Sequence, residues 1–200
     1  MYKFKNCFTF GIDLDDTIEN LLLAWISWLN KEHGLNASID DVKSWEMSDL
    51  YPTLSHDEIF TPLFNEEFWS TVTPKQDAIY YIDQLIKDGH DVYIVTSSHY
   101  ATMKYKFDAI IKRYFPAIDW KHIITTTNKQ MIKCDIMIDD GPHNLIDGDY
   151  IRILFDAPHN KDFPAEDHQM KRVYNWEQVY NLVKDLDWFY DIHGLETVTY

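Results

Sequence analysis

The chain has 200 residues, 46% of them hydrophobic and 16% aromatic, enough to bury one sizeable core and a small accessory unit. Its formal net charge of −15 opposes adhesion to a nucleic acid polymer or an anionic membrane face, and an anionic small molecule would need a local positive charge, such as a metal, to bind. No apolar run approaches the ~20 residues that cross a bilayer, and the opening MYKFKNCF lacks the apolar stretch of a signal peptide, so the expected location is the cytoplasm.

The first strand-like segment, FTFGI at 8–12, runs straight into Asp13, Asp15 and Asp16. A helical period follows over 17–33, with Thr17 placed to cap its start and Gly34 to stop it. From 35 to 74 the pattern loosens. Asp, Ser and Pro punctuate short segments crowded with Trp45, Tyr51, Phe60, Phe64, Phe68 and Trp69, which reads as an inserted helical unit. Helix and strand signals then alternate: a helix over 76–88 ended by Gly89, the strand HDVYIVTSS, a helix near 100–115 stopped by Pro116, and the strand HIITTT. Two more strands, CDIMIDD and YIRILFDAP, precede a closing helix over 176–187. Strands separated by helices predict right-handed crossovers and an α/β fold whose parallel sheet is covered on both faces. Cys7 and Cys134, each in or beside a strand, read as buried free thiols.

In a parallel sheet the strand C-termini converge on one edge, where open α/β folds place ligands. Four predicted strand exits bring together Asp13, Asp15 and Asp16; Thr96, Ser97 and Ser98; Lys129; and Asp139 with Asp140. Carboxylates converging from several strands suit Mg²⁺, which prefers hard oxygen ligands. Hydroxyls, backbone N–H groups and an ammonium can hold the remaining phosphate oxygens. The mixture predicts a phosphate site.

DLDDT at 13–17 resembles the DxDx[TV] signature of the haloacid dehalogenase-like (HAD) hydrolase superfamily. Thr96 at a strand end, Lys129 and the acidic pair of IMIDD resemble its other three markers, in the right order. VTSS, TTNK, IDD and LFDAPHNK are similar to the pattern of the 5'(3')-deoxyribonucleotidases within it. The resemblance implies a Rossmann-like core over 1–19 and 74–200, with the first and fourth strands adjacent, and a helical cap inserted over 20–73. It implies that Asp13 is the nucleophile and Asp15 the general acid and base. Mg²⁺ would be held by Asp13, the Asp15 carbonyl and Asp140, with Asp139 supporting. Thr96, Ser97 and Lys129 would bind and neutralise phosphate. The cap would supply leaving-group selectivity, with Trp45, Phe68 and Trp69 as candidate substrate-pocket rings.

The implied activity is hydrolysis of nucleoside monophosphates, with deoxyribonucleotides as the expected small-molecule partners. A sugar phosphatase and a non-catalytic phosphate-binding protein are the alternatives. Asp16 reads as a helix cap and His143 as a loop histidine bonded to backbone, while Asn160 and Lys161 fit either the site or a surface turn.

Overall fold

The structure, a computed structural model, describes residues 4–193. Six parallel strands form one sheet: β1 (Thr9–Ile12), β2 (Asp91–Thr96), β3 (Ile123–Thr125), β4 (Ile136–Asp139), β5 (Ile151–Phe155) and β6 (Met170–Val173), in the order β3-β2-β1-β4-β5-β6. β1 therefore lies between β2 and β4, with Ile12 beside both Ile94 and Ile138. Five strands are legible in the sequence; β6 is an edge strand whose MKRV buries only its two ends, so it lacks an apolar run.

Side chains alternate across the sheet as strand geometry requires. Phe10, Ile12, Ile94, Ile136, Ile138 and Ile153 join a large apolar cluster on one face, and Val95, Met137 and Leu154 a smaller one on the other. The large cluster takes in helices α1 (Leu21–His33), α5 (Ala78–Lys87) and α6 (Trp176–His193), the last closing the described chain. The smaller face is covered by the short helix Pro142–Leu145 and the loops around Tyr150 and Ala165. Gly11 permits close packing of central strands, since a Cβ there would stand 2.7 Å from Met137 Cε. The terminal segment from Trp188 continues α6 to His193; 194–200 lie outside the described residues.

The segment between β1 and α5 holds α1 and the short helices α2 (Met47–Leu50), α3 (His56–Phe60) and α4 (Glu66–Thr71). Trp25 Nε1 donates to the Ile59 carbonyl at 2.7 Å, and Tyr51 Oη donates to Asn30 Oδ1 at 3.0 Å, which binds these pieces to α1. The chain enters and leaves this segment side by side: Asn20 N donates to Thr73 O, and Lys75 N to Ile18 O, at 2.9 and 2.8 Å.

Helix α1 begins later than predicted. Thr17 does not cap it, because its hydroxyl donates to Asp140 Oδ1 at 3.1 Å instead. Asp16, in a left-handed turn at φ 53°, accepts from Leu22 N at 3.1 Å. Gly34 ends the helix at φ 65°, where its N–H reaches Asn30 O. The thiols are free, but Cys7 is exposed and Cys134 only half-buried, because Cys7 precedes the strand rather than lying in it; burial raises the Cys134 pKa to about 11.

Candidate active site

β1 and β4 end side by side, so their acids meet. Asp13 N extends the ladder by donating to Ile138 O at 2.9 Å. Carboxylate oxygens of Asp13, Asp139 and Asp140 lie within 4.8 Å of one another, all buried. Lys129, with no exposed surface, inserts its ammonium between Asp13 Oδ1 and Asp139 Oδ2, the latter at 2.6 Å. Burial works against the Lys129 charge, but Asp13 and Asp139 outweigh it and its pKa lies above the ordinary lysine value. Asp13 is pushed well up by burial, opposed by Lys129 and reinforced by Asp139, Asp140 and Asp15. Asp140 is pushed well up by burial and by Asp139 and Asp16.

The adjacent acids of β4 have different partners. Asp139 is fully engaged: Oδ1 accepts from Gly141 N at 2.8 Å and Asn144 Nδ2 at 2.9 Å, while Oδ2 takes Lys129. Asp140 has Thr17 on Oδ1, but its buried Oδ2 has no hydrogen bond. His159 Nε2 approaches that oxygen to 2.9 Å without hydrogen-bond alignment. Three buried acids whose carboxylate oxygens lie this close together, one of them keeping an oxygen without a hydrogen bond, form an all-oxygen donor set that fits a hard divalent cation such as Mg²⁺.

The second pole is built around Asp15. Lys106, 4% exposed and carried by the helix that starts at Tyr100, places its ammonium 2.5 Å from Asp15 Oδ1, against Ser98 Oγ and 4.9 Å above the Trp69 ring. Ser98 Oγ also lies 3.4 Å from Asp15 Oδ2 and 2.7 Å from Thr96 Oγ1. Glu19 is wholly buried beside Asp15, and burial together with Asp15 and Asp16 raises its pKa well above the usual carboxyl range. Asp15 goes the other way: burial raises it, but the Lys106 ammonium overcomes that and holds it low. Burial lifts Asp16 to about 6, against Lys75 and the Leu22 N–H.

Thr96 is buried at the end of β2, whereas Ser97 is exposed and its hydroxyl donates to Thr126 O at 3.2 Å. Trp45 stacks on His159 with ring centroids 4.1 Å apart, at the Asp140 edge. Phe68 and Trp69 have no exposed surface: Phe68 packs edge-on against Trp28 and Trp69, and Trp69 Nε1 donates to Leu63 O at 2.7 Å. Phe68 therefore lies in the core of the inserted segment, and Trp69 beneath Lys106. Asn160 is buried and braces strand exits, donating to Asp140 O at 2.7 Å and Phe155 O at 2.8 Å; the His143 carbonyl accepts from Gln130 Nε2.

Lys106, Glu19 and His159 were not singled out by the sequence reading. Lys106 had a usable signal: it shares a helical stripe with Thr102 and Ile110, both buried, where a solvated lysine does not belong.

A parallel sheet with acids at adjacent exits of β1 and β4, a hydroxyl at the end of β2 and a buried lysine between the acids defines a haloacid dehalogenase-like hydrolase. Solved structures share the fold: a HAD family hydrolase from Deinococcus radiodurans R1, with bound phosphate and sodium, has a TM-score of 0.66 at 11% identity, covering 88% of this chain and 95% of that one. A HAD-hydrolase from Bacillus subtilis bound to magnesium has a TM-score of 0.58 at 16% identity, covering 92% and 100%. The family model for 5' nucleotidase, deoxy (pyrimidine), cytosolic type C protein matches residues 7–186. The 5'(3')-deoxyribonucleotidase of Bacillus subtilis (strain 168) is 32% identical over 178 residues, 84% of this chain and 94% of that protein. The chain belongs to this deoxyribonucleotidase family.

Proposed function

We propose that the protein is a Mg²⁺-dependent phosphatase of nucleoside monophosphates, a 5'(3')-deoxyribonucleotidase working through an aspartyl-phosphate. The observation that carries this reading is the pairing of two poles at one sheet edge: Asp13 on Lys129 beside the unsatisfied Asp140 oxygen, and Asp15 on Lys106 and Ser98. Family membership supplies the substrate class.

In the proposed reaction an Asp13 oxygen bonds to phosphorus as the bond to the leaving alcohol breaks, and Asp15 gives that alcohol its proton. Asp15 then takes a proton from the water that cleaves the aspartyl-phosphate. Lys129, with Thr96 and Ser97, neutralises and orients phosphoryl oxygens. Asp13, the Asp15 carbonyl and Asp140 would hold Mg²⁺; Asp139, saturated by Lys129, Gly141 and Asn144, would orient that set rather than ligate. Bound there, the cation supplies the positive charge that stabilises Asp13 as a carboxylate. Asp15 starts with its pKa low; a phosphate dianion arriving beside it, competing for Lys106, raises its affinity for the proton it must deliver.

The segment 20–73, entering and leaving through paired linkers at Asn20–Thr73 and Ile18–Lys75, would serve as the cap. Among the described residues no helix is long and apolar enough to cross a membrane. The test is Mg²⁺-dependent phosphate release from paired ribo- and deoxyribonucleoside monophosphates, 5' and 3', with sugar phosphates alongside and EDTA as control. Release from deoxynucleotides, lost in Asp13→Asn with the fold intact, is expected. Activity confined to sugar phosphates would remove the nucleotidase assignment, and full activity of Asp13→Asn would remove the nucleophile.

A further inference from the structure

Two of the three Asp140 oxygens have fixed partners: Oδ1 takes the Thr17 hydroxyl, and the main-chain carbonyl takes Asn160 Nδ2 at 2.7 Å. The third, Oδ2, is the one without a hydrogen bond. Where that oxygen lies therefore depends on how firmly Asn160 is held.

Asn160 is 2% exposed and uses the whole hydrogen-bonding capacity of its amide. Nδ2 also donates to Phe155 O at 2.8 Å, at the end of β5. Oδ1 accepts from Ala157 N at 3.2 Å and from Arg172 Nη1 at 2.8 Å. Two carbonyls against the amino group and two N–H donors against the oxygen allow one orientation of the amide. Arg172 closes the arrangement from β6. Its Nη2 donates to Asn160 O at 3.0 Å and to Phe163 O at 2.8 Å, and its Nη1 to Asp156 Oδ1 at 2.7 Å. β6 is an edge strand that adds no acid to the site, yet its guanidinium ties the loop after β5 to the exit of β4. The same loop carries His159, whose Nε2 lies 2.9 Å from Asp140 Oδ2. The placement of Asn160 thus sets both the backbone that carries this oxygen and the ring beside it.

Resting on the Mg²⁺-dependent reading above, we propose that Asn160 and Arg172 are positioning residues for Mg²⁺: the guanidinium holds the amide, the amide holds the Asp140 main chain, and the approach of Asp140 Oδ2 to the cation is set from β6. In this role neither side chain ligates the cation or touches the substrate. Outer partners of this kind typically change metal affinity by about 10- to 100-fold. They act on affinity before rate, because a saturating cation restores the occupied site.

The test titrates Mg²⁺ into the substrate-free protein by calorimetry and follows phosphate release from thymidine 5'-monophosphate against Mg²⁺ concentration, for wild type, Asn160→Ala, Arg172→Lys and Val183→Ala. Val183 is wholly buried in α6, so its truncation loosens the core without touching the clamp. Asn160→Ala is expected to weaken Mg²⁺ binding, and to raise the half-maximal Mg²⁺ concentration, by about 10- to 100-fold, with kcat nearly kept once Mg²⁺ saturates. Arg172→Lys keeps the charge but loses the fork that spans Asn160 and Phe163, and should shift both readings the same way by less. Val183→Ala should lower Tm and leave both readings within about twofold. Unchanged Mg²⁺ affinity in Asn160→Ala and Arg172→Lys, an equal loss in Val183→Ala, or a loss of kcat at saturating Mg²⁺ with affinity kept would overturn the clamp. If Asn160→Ala does not fold, Arg172→Lys decides: weakened binding supports the clamp and unchanged binding overturns it. A wild type that binds Mg²⁺ but releases no phosphate from the nucleotide removes the nucleotidase reading, and the calorimetric comparison still decides the clamp. A wild type that binds no Mg²⁺ overturns both.

Discussion

Replacing Lys106 with methionine keeps an unbranched apolar stem and removes the ammonium, with its charge and its hydrogen-bond donors. The ammonium it deletes is buried, contacts both oxygens of Asp15 and Ser98 Oγ, and sits above the Trp69 ring. A charge-assisted hydrogen bond contributes about 1.5–3 kcal/mol, and breaking a fully buried pair costs about 3–5 kcal/mol. The Asp15 side chain is 20% exposed, so water recovers part of that, and a loss of about 2–3 kcal/mol follows. At about 2–4 °C per kcal/mol for a chain of this size, Tm at pH 7 should fall by roughly 4–12 °C. The pH dependence identifies the cause. In the wild type, Lys106 holds the Asp15 pKa below its unfolded value of 3.8, so that carboxylate's stabilisation is present above 3.8 and is lost only as pH falls through the still lower folded value. Without Lys106, burial dominates and the folded pKa rises above 3.8; the variant is then penalised at pH 7 and relieved as pH falls. The gap between the two proteins should therefore narrow from pH 7 to pH 4. Calorimetry at both values reads this, and kcat should drop about 100-fold or more as the proton carrier loses its place. A Tm within 1 °C of wild type at pH 7, or a gap independent of pH, would refute the reasoning.

The two acids of β4 should separate in a pair of titrations. Asp140→Asn is expected to raise the Mg²⁺ concentration for half-maximal phosphate release more than tenfold. Asp139→Asn, which leaves the fully buried Lys129 with one acid, should instead cost about 3 kcal/mol of stability in thermal melts; the reverse pattern would exchange their roles. Phe68→Ala should destabilise by about 3–5 kcal/mol, since the ring is wholly buried. A loss below 1 kcal/mol would place that ring at a pocket wall. His90 is buried, accepts from Phe8 N through Nδ1 at 3.1 Å, and has its pKa lowered from 6.5 by burial. Its contribution is complete above 6.5 and lost as pH falls through the folded value. The stability advantage of wild type over His90→Gln should therefore shrink between pH 7 and pH 5, and an advantage constant across that range would show that His90 does not titrate with unfolding.

The strands could be read because a parallel sheet buries both faces of its central members, which leaves short apolar runs such as FTFGI, VYIV and IMI in the sequence. Once those runs are placed in parallel, the convergence of Asp13, Thr96, Lys129 and Asp140 follows from strand direction alone. The partners that set each group's charge could not be read in the same way. Lys106 comes from within a helix, two turns beyond Ser98, and Glu19 from the linker into the inserted segment. Neither belongs to a strand exit, so nothing in the strand pattern points to them. The aromatic residues were ambiguous for a different reason. Ring-rich helical segments look alike in sequence whether a ring fills a core, as Phe68 does, or stays half-exposed, as Phe64 does. Only the packing of the segment against the helix that begins at Tyr100 separates them.

The crowding of acid at one sheet edge becomes intelligible once each acid is followed to its counter-charge. Asp13, Asp139 and Asp140 share Lys129, while Asp15 takes Lys106, with Asp16 and Glu19 close by. Even with Lys75 acting on Asp16, three lysines cannot neutralise six carboxyls, and the remainder is resolved differently at each pole. Around Asp15 the excess is met by a shift toward protonation, because burial and the neighbouring Asp15 and Asp16 push the Glu19 pKa well up. Around Asp13 the excess remains as an unsatisfied Asp140 oxygen, which is where an oxygen-seeking dication fits. In the proposed mechanism the same division would separate an attacking carboxylate, Asp13 on Lys129, from a proton-carrying one, Asp15 on Lys106. That mechanism needs both within one pocket, and Asp13 and Asp15 lie two residues apart with different partners, because Asp13 still follows the β1 ladder while Asp15 has already turned toward Ser98, just beyond β2.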